Sequence, residues 1–133
     1  MSRHILILDR DQNARQAMSI ALRRAGYRVS SAFDFKEALR LLDSAEGERS
    51  RWDLVVLDTE MSEGPGRKLA ELLNGHVPAI PSIMVSNFSD KAFFIDMISH
   101  GHNEFIENAC DKGEPTMRIW DVSSSRSGKR VRK

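Results

Sequence analysis

Two apolar runs in this chain each end in an aspartate: Ile5-Leu6-Ile7-Leu8 before Asp9, and Leu54-Val55-Val56-Leu57 before Asp58. Four consecutive branched apolar residues, with no polar alternation, are the pattern of a strand buried on both faces in a parallel sheet. The carboxyl ends of such strands are where open α/β sheets bind ligands. Two carboxylates delivered to that edge point to a hard cation or a phosphoryl group, since a hard cation takes oxygen ligands held close together.

The rest of the chain alternates strand and helix patterns without an internal repeat. His4 to Asp9 reads as the first strand. Ala14, Ala17, Met18, Ala21, Leu22 and Ala25 form an apolar stripe at helical spacing, with Asp11 placed to cap that helix and Gly26 to end it. Tyr27 to Ala32 is a second strand, and Asp34 with Glu37 forms a capping-box start for a helix carrying Phe35, Ala38, Leu39 and Leu42. Asp53 to Asp58 is a third strand, followed by the Gly64-Pro65-Gly66 turn and a helix with Leu69, Leu72 and Leu73. Ile80 to Ser86 is a fourth strand, Lys91 to His100 a short and unusually apolar helix, and Asn103 to Glu107 a fifth strand. The expected fold is a doubly wound, flavodoxin-like α/β domain with right-handed crossovers and parallel strand order 2-1-3-4-5. That order sets Asp9 beside Asp58. Beyond Glu107 the pattern fails, and a fifth helix is expected to be absent or displaced; Thr116 to Trp120 reads equally as strand or helix.

At 133 residues the chain suits one domain, with a folded body over 1–122 and a tail over 123–133. The tail carries Arg126, Lys129, Arg130, Arg132 and Lys133 and no acid, a composition expected to stay disordered, while the body is mildly acidic. Nucleic-acid contact is therefore not expected except through the tail. No apolar stretch reaches membrane-spanning length, no signal-peptide pattern precedes the first strand, and the single Cys110 suits a reducing compartment. A cytoplasmic location is expected. His76, His100 and His102 do not share a metal-binding spacing, and no P-loop or nucleophile elbow is present, so an enzyme is not expected.

Four segments in order are Ile5-Leu6-Ile7-Leu8-Asp9-Arg10-Asp11, Asp53-Leu54-Val55-Val56-Leu57-Asp58-Thr59-Glu60-Met61, Ile83-Met84-Val85-Ser86 and Gly101-His102-Asn103-Glu104-Phe105-Ile106-Glu107-Asn108-Ala109. Together they resemble the receiver domain of two-component response regulators over roughly residues 3–109. The resemblance implies that Asp58 is the phosphoacceptor for a histidine kinase or phosphotransfer protein. It implies Mg²⁺ held by Asp9, Asp58 and the backbone carbonyl of Glu60, a hydroxyl at Ser86 for the phosphoryl group, and Phe105 on the fifth strand as its switch partner. Two positions depart from the family pattern: Arg10 stands where a second acidic metal ligand is expected, and Asn108 stands in place of a lysine that pairs with the phosphoryl oxygens.

An arginine cannot give up its proton to bind a metal, and its charge opposes one. Two arrangements follow. In the first, Arg10 reaches Asp58 or Asp9 as a built-in counter-cation. In the second, Asp11 turns in, and Asp9, Asp11 and Asp58 hold Mg²⁺ weakly. The first is preferred because Asp11 suits a helix cap; an Arg10 pointing to solvent is the plain alternative. The expected function is an atypical receiver module with impaired Mg²⁺-dependent phosphorylation, signalling through protein contacts with a downstream partner. Its competitor is a working phosphoacceptor at Asp58 in a phosphorelay. The apolar segment from Lys91 to Glu107 is either ordinary core or, if uncovered, a homodimer surface.

Overall fold

The computed structural model describes residues 3–43, 52–58, 71, 80–112 and 116–118. Among these residues five strands form one parallel sheet in the order β2-β1-β3-β4-β5: β1 (His4–Leu8), β2 (Arg28–Ala32), β3 (Leu54–Asp58), β4 (Ser82–Val85) and β5 (Thr116–Arg118). The doubly wound, flavodoxin-like arrangement anticipated from the apolar runs is the one observed. Ile5 to Leu8 and Leu54 to Leu57 have no exposed surface, which is why these strands carry no polar alternation. Leu8 pairs with Leu57, so the chain delivers Asp9 and Asp58 side by side, one step further on.

Local chemistry sets the helices. Helix α1 (Gln12–Arg24) starts at Asp11, whose carboxylate accepts from the N–H groups of Asn13 and Ala14, and it buries Ala14, Met18, Ala21 and Leu22. Gly26 follows with φ +101°, a conformation that favours glycine and turns the chain into β2. Helix α2 (Phe35–Asp43) starts at Asp34, which accepts from the Glu37 N–H at 2.8 Å, while Glu37 reaches back to the Phe33 N–H at 2.9 Å. Asn87 caps helix α3 (Phe88–Ser99) by accepting from the Asp90 N–H, and Gly101 at φ +81° follows its end. The helix expected to carry Leu69, Leu72 and Leu73, and the tail over 123–133, lie outside the described residues.

The segment after α3 departs from expectation. Asn103 to Glu107 is not a strand: Glu104–Lys112 is helix α4, and the fifth strand is Thr116–Arg118. The reason is visible in the spacing, because Phe105, Ile106 and Ala109 are all buried and fall on one face of a helix. Phe105 packs edge-on against Phe94, with ring centroids 5.8 Å apart.

Strand side chains alternate between faces, and the core divides accordingly. Ile5, Ile7, Leu54, Val56, Ile83 and Val85 pack with α1, α3 and α4, whereas Leu6, Leu8, Val55, Leu57 and Met84 pack with α2. The steps from β1 to β2 and from β4 to β5 run in opposite directions across the sheet, yet α1, α3 and α4 share one face. The last crossover therefore has the opposite hand from the first, and the uniformly right-handed set does not hold there. Set against that preference is one continuous apolar layer in which Met18 and Leu22 of α1 join Phe94, Met97 and Ile98 of α3. The apolar residues of α3 are thus mostly core; Phe88, at its start, is 82% exposed.

Candidate functional site

The site lies at the carboxyl edge of the sheet. Alternation along β1 sends Ile5 and Ile7 to the α1 side and so sends Asp9 there too; along β3 it does the same for Leu54, Val56 and Asp58. That is the face on which α3 sits. Lys91, in the first turn of α3, reaches both carboxylates: its Nζ lies 2.9 Å from Asp9 Oδ2 and 3.1 Å from Asp58 Oδ2, and it also donates to Asp9 Oδ1 at 3.2 Å. All three residues are buried: Asp9 is 0% exposed, Asp58 2% and Lys91 8%.

The counter-cation is not the expected Arg10. Arg10 is exposed, and the counter-charge against Asp9 and Asp58 is Lys91. A signal was present: Lys91, Phe94 and Ile98 share one helical stripe, and a lysine on a buried stripe demands a carboxylate nearby. Asp11 acts as the α1 cap, as its position suggested, and its N–H donates to Asp9 Oδ1 at 2.9 Å. The Asp9 carbonyl accepts from Arg15 Nη1 at 2.8 Å, which further fixes the β1–α1 turn.

Electrostatics follow from one cation shared by two buried carboxylates. Burial raises the Asp9 pKa, and the Asp11 N–H and Lys91 only partly offset it. Burial acts to lower the Lys91 pKa, but its two carboxylate partners outweigh that, so the ammonium stays charged.

Other expected participants fall elsewhere. Ser86 follows β4, one residue beyond the Asp58–Val85 pair, and its hydroxyl donates to Asp90 Oδ2. The Ser86 N–H also points to that oxygen, at 3.4 Å. Phe105 and Asn108 are on α4, where Phe105 belongs to the core beside Phe94 and Asn108 is exposed. The expected pairing of Phe105 with Ser86 relied on a strand that is a helix here. Glu60 lies outside the described residues. Among the described residues no group of three or more His, Cys, Asp or Glu side chains is arranged to hold a metal ion. Nor, among them, is any helix long and apolar enough to cross a membrane.

A parallel, doubly wound sheet with paired aspartates at its switch point defines the class of the protein, and comparison defines the family. Residues 5–119 match the response regulator receiver domain family. Over 120 residues the chain is 30% identical to the two-component response regulator ARR12 of Arabidopsis thaliana, covering 90% of this chain and 18% of that protein. It is 30% identical over 122 residues to the transcriptional regulatory protein GltR of Pseudomonas aeruginosa, covering 88% of this chain and 47% of that protein. The CheY-like receiver domain structure from Methanospirillum hungatei JF-1 superposes with a TM-score of 0.63 at 20% identity, covering 85% of this chain and 97% of that one. The chain belongs to the response regulator receiver domain family. It spans less than half the length of these curated relatives. Receivers are signalling modules that interact with histidine kinases or phosphotransfer proteins and generally bind Mg²⁺ for phosphorylation.

Proposed function

We propose that this chain is an atypical receiver, in which Lys91 serves as a tethered cation where a divalent ion would otherwise bridge Asp9 and Asp58. The supporting observation is the position of Nζ, within 3.1 Å of a carboxylate oxygen on each aspartate. Mg²⁺ binds oxygen at about 2.0–2.1 Å and demands near-octahedral geometry. The residues as arranged do not fit that ion, because an ammonium in hydrogen-bond contact with both carboxylates fills the space between them. A cation is already supplied, so the drive to recruit Mg²⁺ is weakened, and with it Mg²⁺-dependent phosphorylation of Asp58.

On this reading the module signals through protein contacts made largely without phosphoryl transfer. Phe88, 82% exposed in the same first turn as Lys91, gives a partner an apolar handle beside the site. The test is direct: incubate the protein with Mg²⁺ and acetyl phosphate and record its intact mass. Little or no phosphoryl adduct is expected. A stoichiometric adduct that disappears in Asp58→Asn would establish the competing reading, a working phosphoacceptor in a relay.

A further inference from the structure

Lys91 accounts for the cation side of the site and leaves a second group beside it. Asp90 Oδ2 takes the Ser86 hydroxyl and faces the Ser86 N–H at 3.4 Å. Its own N–H is held by Asn87 Oδ1 at 2.9 Å, so the start of α3 fixes the residue from the backbone side as well. Ser86 stands one residue past Val85, which pairs with Asp58. The Ser86 hydroxyl and N–H, just past the end of the strand that pairs with Asp58, are thus taken by the Asp90 carboxylate, and its negative charge sits beside them. An oxyanion approaching Asp58 needs donors and positive potential. Here it meets an occupied hydroxyl and like charge.

We propose that Asp90 is a specificity-determining residue that keeps oxyanions out of this site by occupying Ser86 and opposing their charge. The role is separate from that of Lys91. Lys91 displaces a divalent cation from Asp9 and Asp58; Asp90 displaces an anion from Ser86. Because the two are adjacent in one helical turn, α3 brings a cation and an anion of its own to the edge of the sheet. The inference rests on the proposed function above, in which the wild-type site takes up phosphoryl groups poorly.

Lys91→Met and Lys91→Met/Asp90→Ala are compared for adduct formation with acetyl phosphate and Mg²⁺ by intact mass. In the labelling step an Asp58 carboxylate oxygen bonds to phosphorus while the phosphorus–oxygen bond to acetate breaks, and acetate leaves with the electron pair. The double variant is expected to label at least tenfold faster than Lys91→Met, and adding Ser86→Ala is expected to remove most of the gain, leaving only the part that comes from relief of like charge. Equal rates, or a gain undiminished by Ser86→Ala, would overturn the role of Asp90. A purely structural part for Asp90 predicts no such dependence on Ser86.

Should the Lys91 variants not fold, Asp90→Ala alone is examined by amide NMR with millimolar orthophosphate. Shifts at Ser86 and its neighbours are expected in Asp90→Ala and absent in the wild type; no shift in the variant overturns the proposal. Stoichiometric labelling of the wild-type protein would instead sink the proposed function. The ratio between variants with and without Asp90 would still decide the present inference.

Discussion

Among the described residues, each end of the sheet sets one cation against two carboxylates, and burial makes them different devices. At the carboxyl edge Lys91 meets Asp9 and Asp58 with all three residues buried. At the amino edge Arg3 meets Glu107 at 3.1 Å and Asp111 at 2.5 Å, with side chains 30%, 44% and 64% exposed. Tyr27 adds its hydroxyl to Glu107 at 2.7 Å, so Arg3 and Tyr27 tie α4 to the starts of β1 and β2. Water solvates the amino-edge charges even when the contacts break. At the carboxyl edge burial keeps water from taking the place of a lost partner, so the arrangement is held as a unit.

The largest expected effect tests that contrast. Lys91→Met leaves two carboxylates buried without their cation and is expected to destabilise the fold by about 3–5 kcal/mol at neutral pH. Urea unfolding measures it, and added millimolar Mg²⁺ is expected to restore part of the loss. A cost below about 1 kcal/mol would place this end in the range of a surface pair and remove the contrast. Replacing all three groups, as Asp9→Asn, Asp58→Asn and Lys91→Met together, is expected to recover most of the stability, because no uncompensated charge remains.

At the other end Arg3→Ala is expected to cost about 1 kcal/mol, the upper part of the range for exposed ion pairs. This effect should shrink as salt rises toward 1 M, whereas the cost of Lys91→Met should hardly change. Equal salt sensitivity at both ends would show that water reaches the Lys91 site. Cys110, close to this cluster, has its thiol pushed up to about 12 by burial, so slow reaction with thiol reagents at neutral pH is consistent with the same packing.

A smaller effect follows from the excess carboxylate at the buried end. Burial raises the Asp9 pKa above its ordinary 3.8. The folded state therefore binds more protons than the unfolded state in the window that begins near 3.8 and runs upward to the raised value. Stability contributed by Asp9 is present below that window and is lost as pH rises through it. Asp9→Asn, which leaves Lys91 with Asp58 alone, is expected to flatten the stability profile in this window. A variant profile parallel to that of the wild type would mean that Asp9 does not titrate there.

What was legible in the sequence divides along the same line. Ile5 to Leu8 and Leu54 to Leu57 announced buried parallel strands, because unbroken apolar runs need cover on both faces. Asp11 and Asp34 announced helix starts through short-range capping, which depends on neighbours in the chain. Lys91 was harder to read because its partners lie 82 and 33 residues away, and only the face on which α3 packs brings them together. Asn103 to Glu107 failed for a related reason. Phe105 and Ile106 fit a buried strand in isolation, and only the continuation to Ala109 separates a helical stripe from a strand.

Arg10 supplies the smallest predicted effect and a sharp discrimination. It directly follows Asp9 in sequence, whereas Lys91 is far away in sequence and in contact in space. If proximity along the chain decided the electrostatics, Arg10→Ala would disturb the Asp9 carboxyl as strongly as Lys91→Met. The exposed position of Arg10 predicts otherwise, since water screens a charge that lies outside the buried cluster. Following the Asp9 carboxyl resonance with pH by NMR should therefore show nearly the same midpoint in Arg10→Ala as in the wild type. In Lys91→Met the midpoint should move upward, because the cation that favours the ionised form is gone. A large shift in Arg10→Ala would return the counter-charge to the chain neighbour and dissolve the distinction between the two ends of the sheet.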